Sequence, residues 1–301
     1  MKLFRYGPAG AEKPGIVDAG GALRDLSGIV ADIDAWALSP AGLQLIAAVD
    51  AGTLPLIEGT VRYGVPVAHV PNLICIGLNY TDHAEETNAA IPTEPILFNK
   101  HTSALCGAND PVLLPSGSEH LDWEVELAFV IGRPCWNVSE DEALSYIAGY
   151  CILNDISERH FQLEREGQWT KGKSHPGFAP CGPWIVTADE VGDPQQLDLW
   201  LDLNGKRVQN GTTSRMIFSC ANLLSYLSRY MALQPGDIVT TGTPPGVGLG
   251  HRPPAYMKAG DVMRLGITGM GEQQQTVTPY TEDMAVAWRQ RYAARPAAAR
   301  R

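Results

Sequence analysis

The sequence predicts a mixed, mostly β protein of rolled or packed sheets. Between residues 71 and 280 apolar residues fall in short runs or strict alternation, with few stretches at helical spacing. Turn signals such as Asn204-Gly205 separate these runs, which suits sheets joined by hairpins. A small α+β domain is expected at residues 1–68, the main body at 69–280 and a C-terminal tail at 281–301.

In the first unit, Lys2 to Tyr6 is a candidate strand, and Gly15 to Leu26 a hairpin around Gly20-Gly21. Ser39 followed by Pro40 is an N-cap with proline at the first helical position, so a short helix follows. Nothing in this unit suggests chemistry. In the main body, Pro71 to Gly77 is an apolar run and predicts a buried strand. Thr81 or Asp82 is expected to cap a short helix carrying His83 and Glu86, three apart, on one face. A carboxylate beside an imidazole orients the ring and raises its basicity, which suits a general base. A surface helix with an ion pair at that spacing is the bland alternative.

Ile96 to Lys100 predicts another strand. Leu121 to Ile131, LDWEVELAFVI, alternates apolar residues with Glu124 and Glu126, so both carboxylates are expected on one face of one strand. Acids on an apolar strand are costly to desolvate unless a cation or donors compensate them. Gly149 to Asp155 predicts a buried strand ending in an acid. Glu124, Glu126 and Asp155 would together form an all-oxygen site for a hard divalent ion: Mg²⁺, Mn²⁺ or Ca²⁺. Zinc would want closely spaced His or Cys, which the seven histidines do not supply.

Ser139 with Glu142 predicts a capping box for a helix through Tyr146. Ser157 to Glu166 is polar and resembles a lid loop. Pro180 to Trp184 predicts a tight turn before a strand from Trp184 to Thr187, and Leu197 to Leu203 a strand entering the Asn204-Gly205 hairpin. Ile217 to Leu233 predicts the longest helix. A strand from Asp237, a loop rich in Gly and Pro from Gly242 to Gly250, strands between Asp261 and Val277 and a solvated end helix complete the chain.

Acids exceed bases by 33 to 23, and the pI near 5.2 argues against nucleic acid as a partner. No apolar run reaches the roughly eighteen residues of a membrane span, and no signal-peptide core opens the chain. Six scattered cysteines without a C-x-x-C pair suit buried, reduced thiols in a cytoplasmic protein. There is no G-x-S-x-G elbow, and the Gly242–Gly250 loop lacks the G-K-[ST] ending of a phosphate loop.

Several motifs occur in a fixed order. They are Gly77-Leu-Asn-Tyr-x-x-His83-Ala-x-Glu86, Asp122-Trp-Glu124-Val-Glu126-Leu, Gly149-Tyr-x-x-x-Asn-Asp155 and Ser157-x-Arg159-x-x-Gln162. Lys171-Gly-Lys173-Ser, Gly182-Pro-Trp, Gln209-x-Gly-x-Thr and Pro235-Gly-Asp-Ile-Val-x-Thr-Gly-Thr-Pro follow. Over residues 70 to 280 this set resembles the catalytic domain of the fumarylacetoacetate hydrolase superfamily. The resemblance implies a β-roll domain, a homodimer, and Mg²⁺ or Mn²⁺ on Glu124, Glu126 and Asp155. It further implies His83 and Glu86 as the water-activating dyad, Lys173 as a stabiliser of negative charge, and Arg159, Gln162 and Thr243 as substrate contacts.

The Ser157–Trp169 run with Lys171-Gly-Lys173 is most similar to the branch of 2,4-diketo-3-deoxy-sugar-acid hydrolases, which are acylpyruvase-like. That branch implies cleavage of the C3–C4 bond of a 2,4-diketo acid, such as 2,4-diketo-3-deoxy-L-rhamnonate or -fuconate, to pyruvate and a hydroxy acid. Ureidoglycolate cleavage, oxaloacetate decarboxylation, and hydration or isomerisation of a 2-oxo acid are alternatives on the same site. A catalytically silent binding protein is the alternative of another class. Two departures from the family pattern, His160 after Arg159 and His175-Pro176 after Lys173-Ser174, alter the expected substrate wall.

Overall fold

The computed structural model describes residues 1–293. Among the described residues it is mostly β, with two large mixed sheets, a two-stranded pair and no closed barrel. The larger sheet has ten strands. Across it run Leu23–Asp25, Lys13–Val17, Lys2–Tyr6, Ala179–Thr187, Ile147–Asn154, Val125–Ile131, Ile238–Thr240, Leu73–Gly77 and Ile96–Lys100, with Leu105–Gly107 paired in parallel to Ala179–Thr187. The second sheet orders Lys206–Thr212, Asp198–Leu203, Val262–Ile267, Gly271–Pro279 and Val112–Leu114. Residues 1–68 contribute no sheet of their own: Lys2–Tyr6 pairs with Ala179–Thr187 and extends the large sheet at one edge.

Val125–Ile131 and Ile147–Asn154 lie side by side at the centre, and every residue of both is buried. Strands covered on both faces need apolar side chains throughout, which accounts for their nearly continuous apolar runs. The second sheet packs over them, and Gln273 Nε2 donates to the carbonyls of Ile152 and Gly182 at 3.0 and 2.8 Å.

Several expected elements differ in detail. The long strand from Leu121 is broken at Trp123-Glu124: Leu121–Asp122 pairs with Ser157–Glu158, and the central strand begins only at Val125. Side-chain and backbone bonds from the Asn154–Asp155 corner replace the ladder there, because Glu124 N donates to Asn154 Oδ1 and Asp155 N to Glu124 O. Of residues 157–166 only the last three are an exposed loop: Ser157–Glu158 is a strand and Arg159–Leu163 a helix, with Ser157, Glu158, Arg159 and Gln162 buried. Pro180 to Trp184 is not a turn but the first half of the strand Ala179–Thr187, irregular where Gly182 takes φ +119° opposite the register shift after Tyr150.

The Ile217–Leu233 helix contracts to Cys220–Tyr230. Asn79 takes the N–H groups of Ile217 and Phe218, and Ser219 caps the helix on Asn222 N. Glu282–Ala293 is one residue longer, at 12 against 11. At Ser139 the capping box is partial: its hydroxyl donates to Glu142 Oε2 at 2.8 Å, with no side-chain bond to a backbone N–H. Asn204 and Gly205, both at positive φ, turn the hairpin as expected. The six cysteines are free, and all but Cys106 are buried.

Candidate active site

The central strands end in a cluster of buried charge. One carboxylate oxygen from each of Glu124, Glu126 and Asp155 lies within 4.8 Å of the others, and all three residues are buried. The break at Trp123-Glu124 turns Glu124 towards the end of the neighbouring strand, where Asp155 sits just past Asn154. Three cations meet these acids. Lys173 Nζ bridges Glu124 Oε2 and Asp155 Oδ2, each at 2.8 Å. Lys100 Nζ reaches Asp155 Oδ1 at 2.5 Å and Ile156 O at 2.9 Å. Arg159 donates from Nη2 to Glu124 Oε1 and from Nε to Asp122 Oδ2, both at 2.7 Å.

Asp122, Glu124 and Asp155 are thus paired, whereas Glu126 enters none of the ion pairs found among the described residues. Its Oε2 accepts the backbone N–H of Gly242, at 2.8 Å. The electrostatics follow. Burial pushes the Glu124 carboxyl up, but Lys173 and Arg159 beside it outweigh that and bring it down to about 2. For Glu126, burial and then the neighbouring Asp155 and Glu124 charges push it well above the usual carboxylate range. Burial lowers both lysines. Asp155 and Glu124 reverse this for Lys173, and Asp155 only partly offsets it for Lys100. The donor set therefore suits a hard divalent cation: three convergent carboxylates, one lacking its own counter-charge, with lone pairs left on the paired oxygens.

His83 and Glu86 share the helix Thr81–Thr87, with Nδ1 3.1 Å from Glu86 Oε2. Tyr80, rather than Thr81 or Asp82, occupies the N-cap position and makes no side-chain cap bond. Glu86 also accepts the Gly246 N–H, at 2.9 and 3.1 Å from its two oxygens. An Nδ1–H donated to Glu86 leaves Nε2 as the basic nitrogen, the arrangement a general base requires. A side chain at Gly250 would meet the Glu86 carboxylate at 2.6–2.9 Å, so a residue without Cβ leaves room for the dyad.

The residues expected to contact substrate are largely occupied by protein partners. Gln162 Oε1 accepts from Arg159 Nη1 at 3.0 Å. Thr243 Oγ1 donates to Val125 O at 2.9 Å and accepts from Gln209 Nε2 at 2.8 Å, while Gln209 Oε1 accepts Val125 N. Thr243 and Gln209 thus clamp the peptide between the two glutamates. Gly172 explains the Lys-Gly-Lys spacing: a Cβ there would lie 2.5 Å from Glu158 O and Gln162 N, and only glycine lets Lys173 approach beneath that helix. His160 bonds Glu164, and the His175 ring lies against Phe178, with Lys100 over the other ring at 6.0 Å.

Sequence reasoning missed Lys100 and Asp122. Lys100 ends an ordinary strand, and the only available signal was a lysine closing an apolar run. Asp122 stood inside the quoted motif without an assigned task. Both are buried.

Comparison with known proteins adds to this geometry. A family model described as fumarylacetoacetate (FAA) hydrolase C-terminal matches residues 72–278. A Burkholderia cenocepacia relative bearing the provisional name of a hydrolase is 57% identical over 277 residues, 92% of this chain and 98% of the relative. Among solved structures, a fumarylacetoacetate hydrolase from Exiguobacterium antarcticum is 35% identical with a TM-score of 0.84, covering 93% of this chain and 100% of its own. Maleylpyruvate hydrolase from Sphingobium sp. SYK-6, solved with manganese(II) and pyruvate, is 28% identical with a TM-score of 0.79 over the same shares.

Proposed function

Because this chain belongs to the fumarylacetoacetate hydrolase family, we propose that it is a metal-dependent hydrolase of the C3–C4 bond of 2,4-diketo acids. The observation that carries this reading is the buried Glu124–Glu126–Asp155 set, with Lys173 across two of its members. The manganese and pyruvate held by the Sphingobium hydrolase support it. Those three carboxylates would hold Mg²⁺ or Mn²⁺, and a divalent ion there supplies Lewis acidity towards a 2-oxo acid.

The chain's own groups do the rest. His83, its Nδ1–H held by Glu86, takes a proton from water at Nε2 and directs the hydroxide to the C4 carbonyl carbon. As the C3–C4 bond breaks, its electron pair passes to the pyruvate half, and the Lys173 ammonium stabilises the negative charge on the 2-oxo oxygen. Protonation at C3 completes pyruvate, and C4 leaves as the carboxyl of a second acid. With a 3-deoxy sugar acid the second product is a hydroxy acid such as lactate.

The test is pyruvate release from an acylpyruvate in Mg²⁺ compared with EDTA. Metal-dependent release is expected, and its absence on every 2,4-diketo acid tried would refute the reading. A second reading, isomerisation of a 2-oxo acid or its enol, draws support from the 2-hydroxyhepta-2,4-diene-1,7-dioate isomerase of Mycobacterium marinum, 32% identical with a TM-score of 0.69. Substrate consumed in Mg²⁺ without pyruvate release would favour it.

The metal reading also has a pH signature. With its value raised above 4.5, Glu126 keeps in the native state a proton that the unfolded chain releases, so its contribution is present below 4.5 and lost as pH rises. Glu124 acts oppositely: its contribution is present above 4.5 and lost as pH falls towards about 2. A bound cation relieves the Glu126 charge. The rise in Tm produced by Mg²⁺ should therefore grow as pH rises above 4.5, binding being coupled to proton release. Scanning fluorimetry across that range checks it, and a flat or falling increment would count against Glu126 as a ligand.

A further inference from the structure

The loop from Gly246 to Leu249 lies between the two halves of the site. The Gly246 peptide is held from both sides: its N–H donates to Glu86, and its carbonyl accepts Trp123 Nε1 at 3.1 Å. Two residues on, Gly248 N donates to Asp122 Oδ1 at 2.6 Å and Leu249 N to Asp122 Oδ2 at 3.0 Å. Asp122 Oδ1 also takes Trp123 N at 2.9 Å, and Oδ2 takes Arg159 Nε at 2.7 Å. The same guanidinium binds Glu124. One fully buried carboxylate with four donors therefore joins the loop that orients Glu86 to the arginine that holds a proposed metal ligand. Gly248 is needed for this approach, since a Cβ would stand 1.9 Å from Ala255 O and 2.8 Å from Asp122 Oδ1.

We propose that Asp122 is a positioning residue that fixes the His83–Glu86 dyad relative to the metal carboxylates. This rests on the proposed hydrolysis, in which water activation at His83 and charge development near Lys173 must coincide in space. Asp122 touches no reacting atom. It acts through Gly248 and Leu249 on the loop that presents Gly246 to Glu86, and through Arg159 on Glu124.

Two measurements test it. In the wild-type protein the Gly246, Gly248 and Leu249 amides should exchange with deuterium through one common opening, at protection factors within about threefold. A Gly246 amide exchanging more than about tenfold apart from the other two would overturn the link, whether or not the protein turns over any substrate. The second is a double-mutant cycle. Asp122→Asn keeps the size but sets an amide against Arg159 Nε or a backbone N–H. It should lower kcat on an acylpyruvate with Mg²⁺ by about 10–100-fold with a much smaller change in KM. In the His83→Ala background the same substitution should cost at least several-fold less than in the unmodified protein, since the part of its effect that runs through the dyad is gone and only the part through Arg159 and Glu124 remains. Full multiplication of the two losses would mean a merely structural aspartate and would also overturn the proposal. If Asp122→Asn fails to fold, the wild-type exchange experiment still decides. Absence of turnover in the wild-type protein counts against the hydrolase reading alone.

Discussion

Replacing His83 with alanine is expected to lower turnover of an acylpyruvate by about 10²–10⁴-fold, the usual worth of a positioned general base. Mg²⁺ affinity should stay close to that of the unmodified protein. The two effects separate because the imidazole belongs to a different element from the acids. His83 sits on the helix Thr81–Thr87 and is oriented by Glu86, whereas the carboxylates come from the ends of the central strands. Calorimetric titration of Mg²⁺ beside steady-state assays makes the comparison. Turnover unchanged by the substitution would remove His83 from the mechanism, and Mg²⁺ affinity lost along with turnover would place it among the ligands.

Glu126→Gln should move two measurements in opposite directions. Among the described residues this acid is buried without an ion-pair partner, at a cost: desolvation and repulsion from Asp155 and Glu124 oppose its ionisation. An isosteric neutral amide removes that cost, so Tm without added metal should rise. It also removes one charged oxygen from the set, so Mg²⁺ affinity should fall by about 100-fold and the Mg²⁺-induced gain in Tm should nearly vanish. The amide must still take the Gly242 N–H on its oxygen, which fixes its orientation. A variant that is less stable in EDTA and still gains fully from Mg²⁺ would show Glu126 to be a structural acid.

How much of this was legible in the sequence depends on the range of the interaction concerned. His83 and Glu86 are three residues apart, and their pairing at 3.1 Å follows from helical geometry alone. The central strands were legible as apolar runs, and the Asn204-Gly205 hairpin from its turn residues. The segment after Asp155 misled because its polarity suggests a mobile loop. Its Arg159 and Gln162 are buried by carboxylates 37 and 35 residues earlier and by each other, and no local pattern announces that. The helix expected from Ile217 lost its first turn to Asn79, a partner 139 residues distant. Thr243 and Arg159, expected to contact substrate, spend hydrogen bonds on Val125, Gln209, Asp122 and Glu124.

What the sequence determined by itself was the inventory and its local order: three acids at the ends of apolar strands and an imidazole one helical turn from a carboxylate. Those features follow from periodicity and from the cost of burying charge, both readable within a dozen residues. Only the tertiary structure decided how the charges are shared. Lys100, Lys173 and Arg159 neutralise Asp155, Glu124 and Asp122, leaving Glu126 without an ion pair among the described residues. Ion-pair partners are chosen by proximity in space across 18 to 55 residues of chain, and composition fixes how many charges must be matched but not which side chains meet.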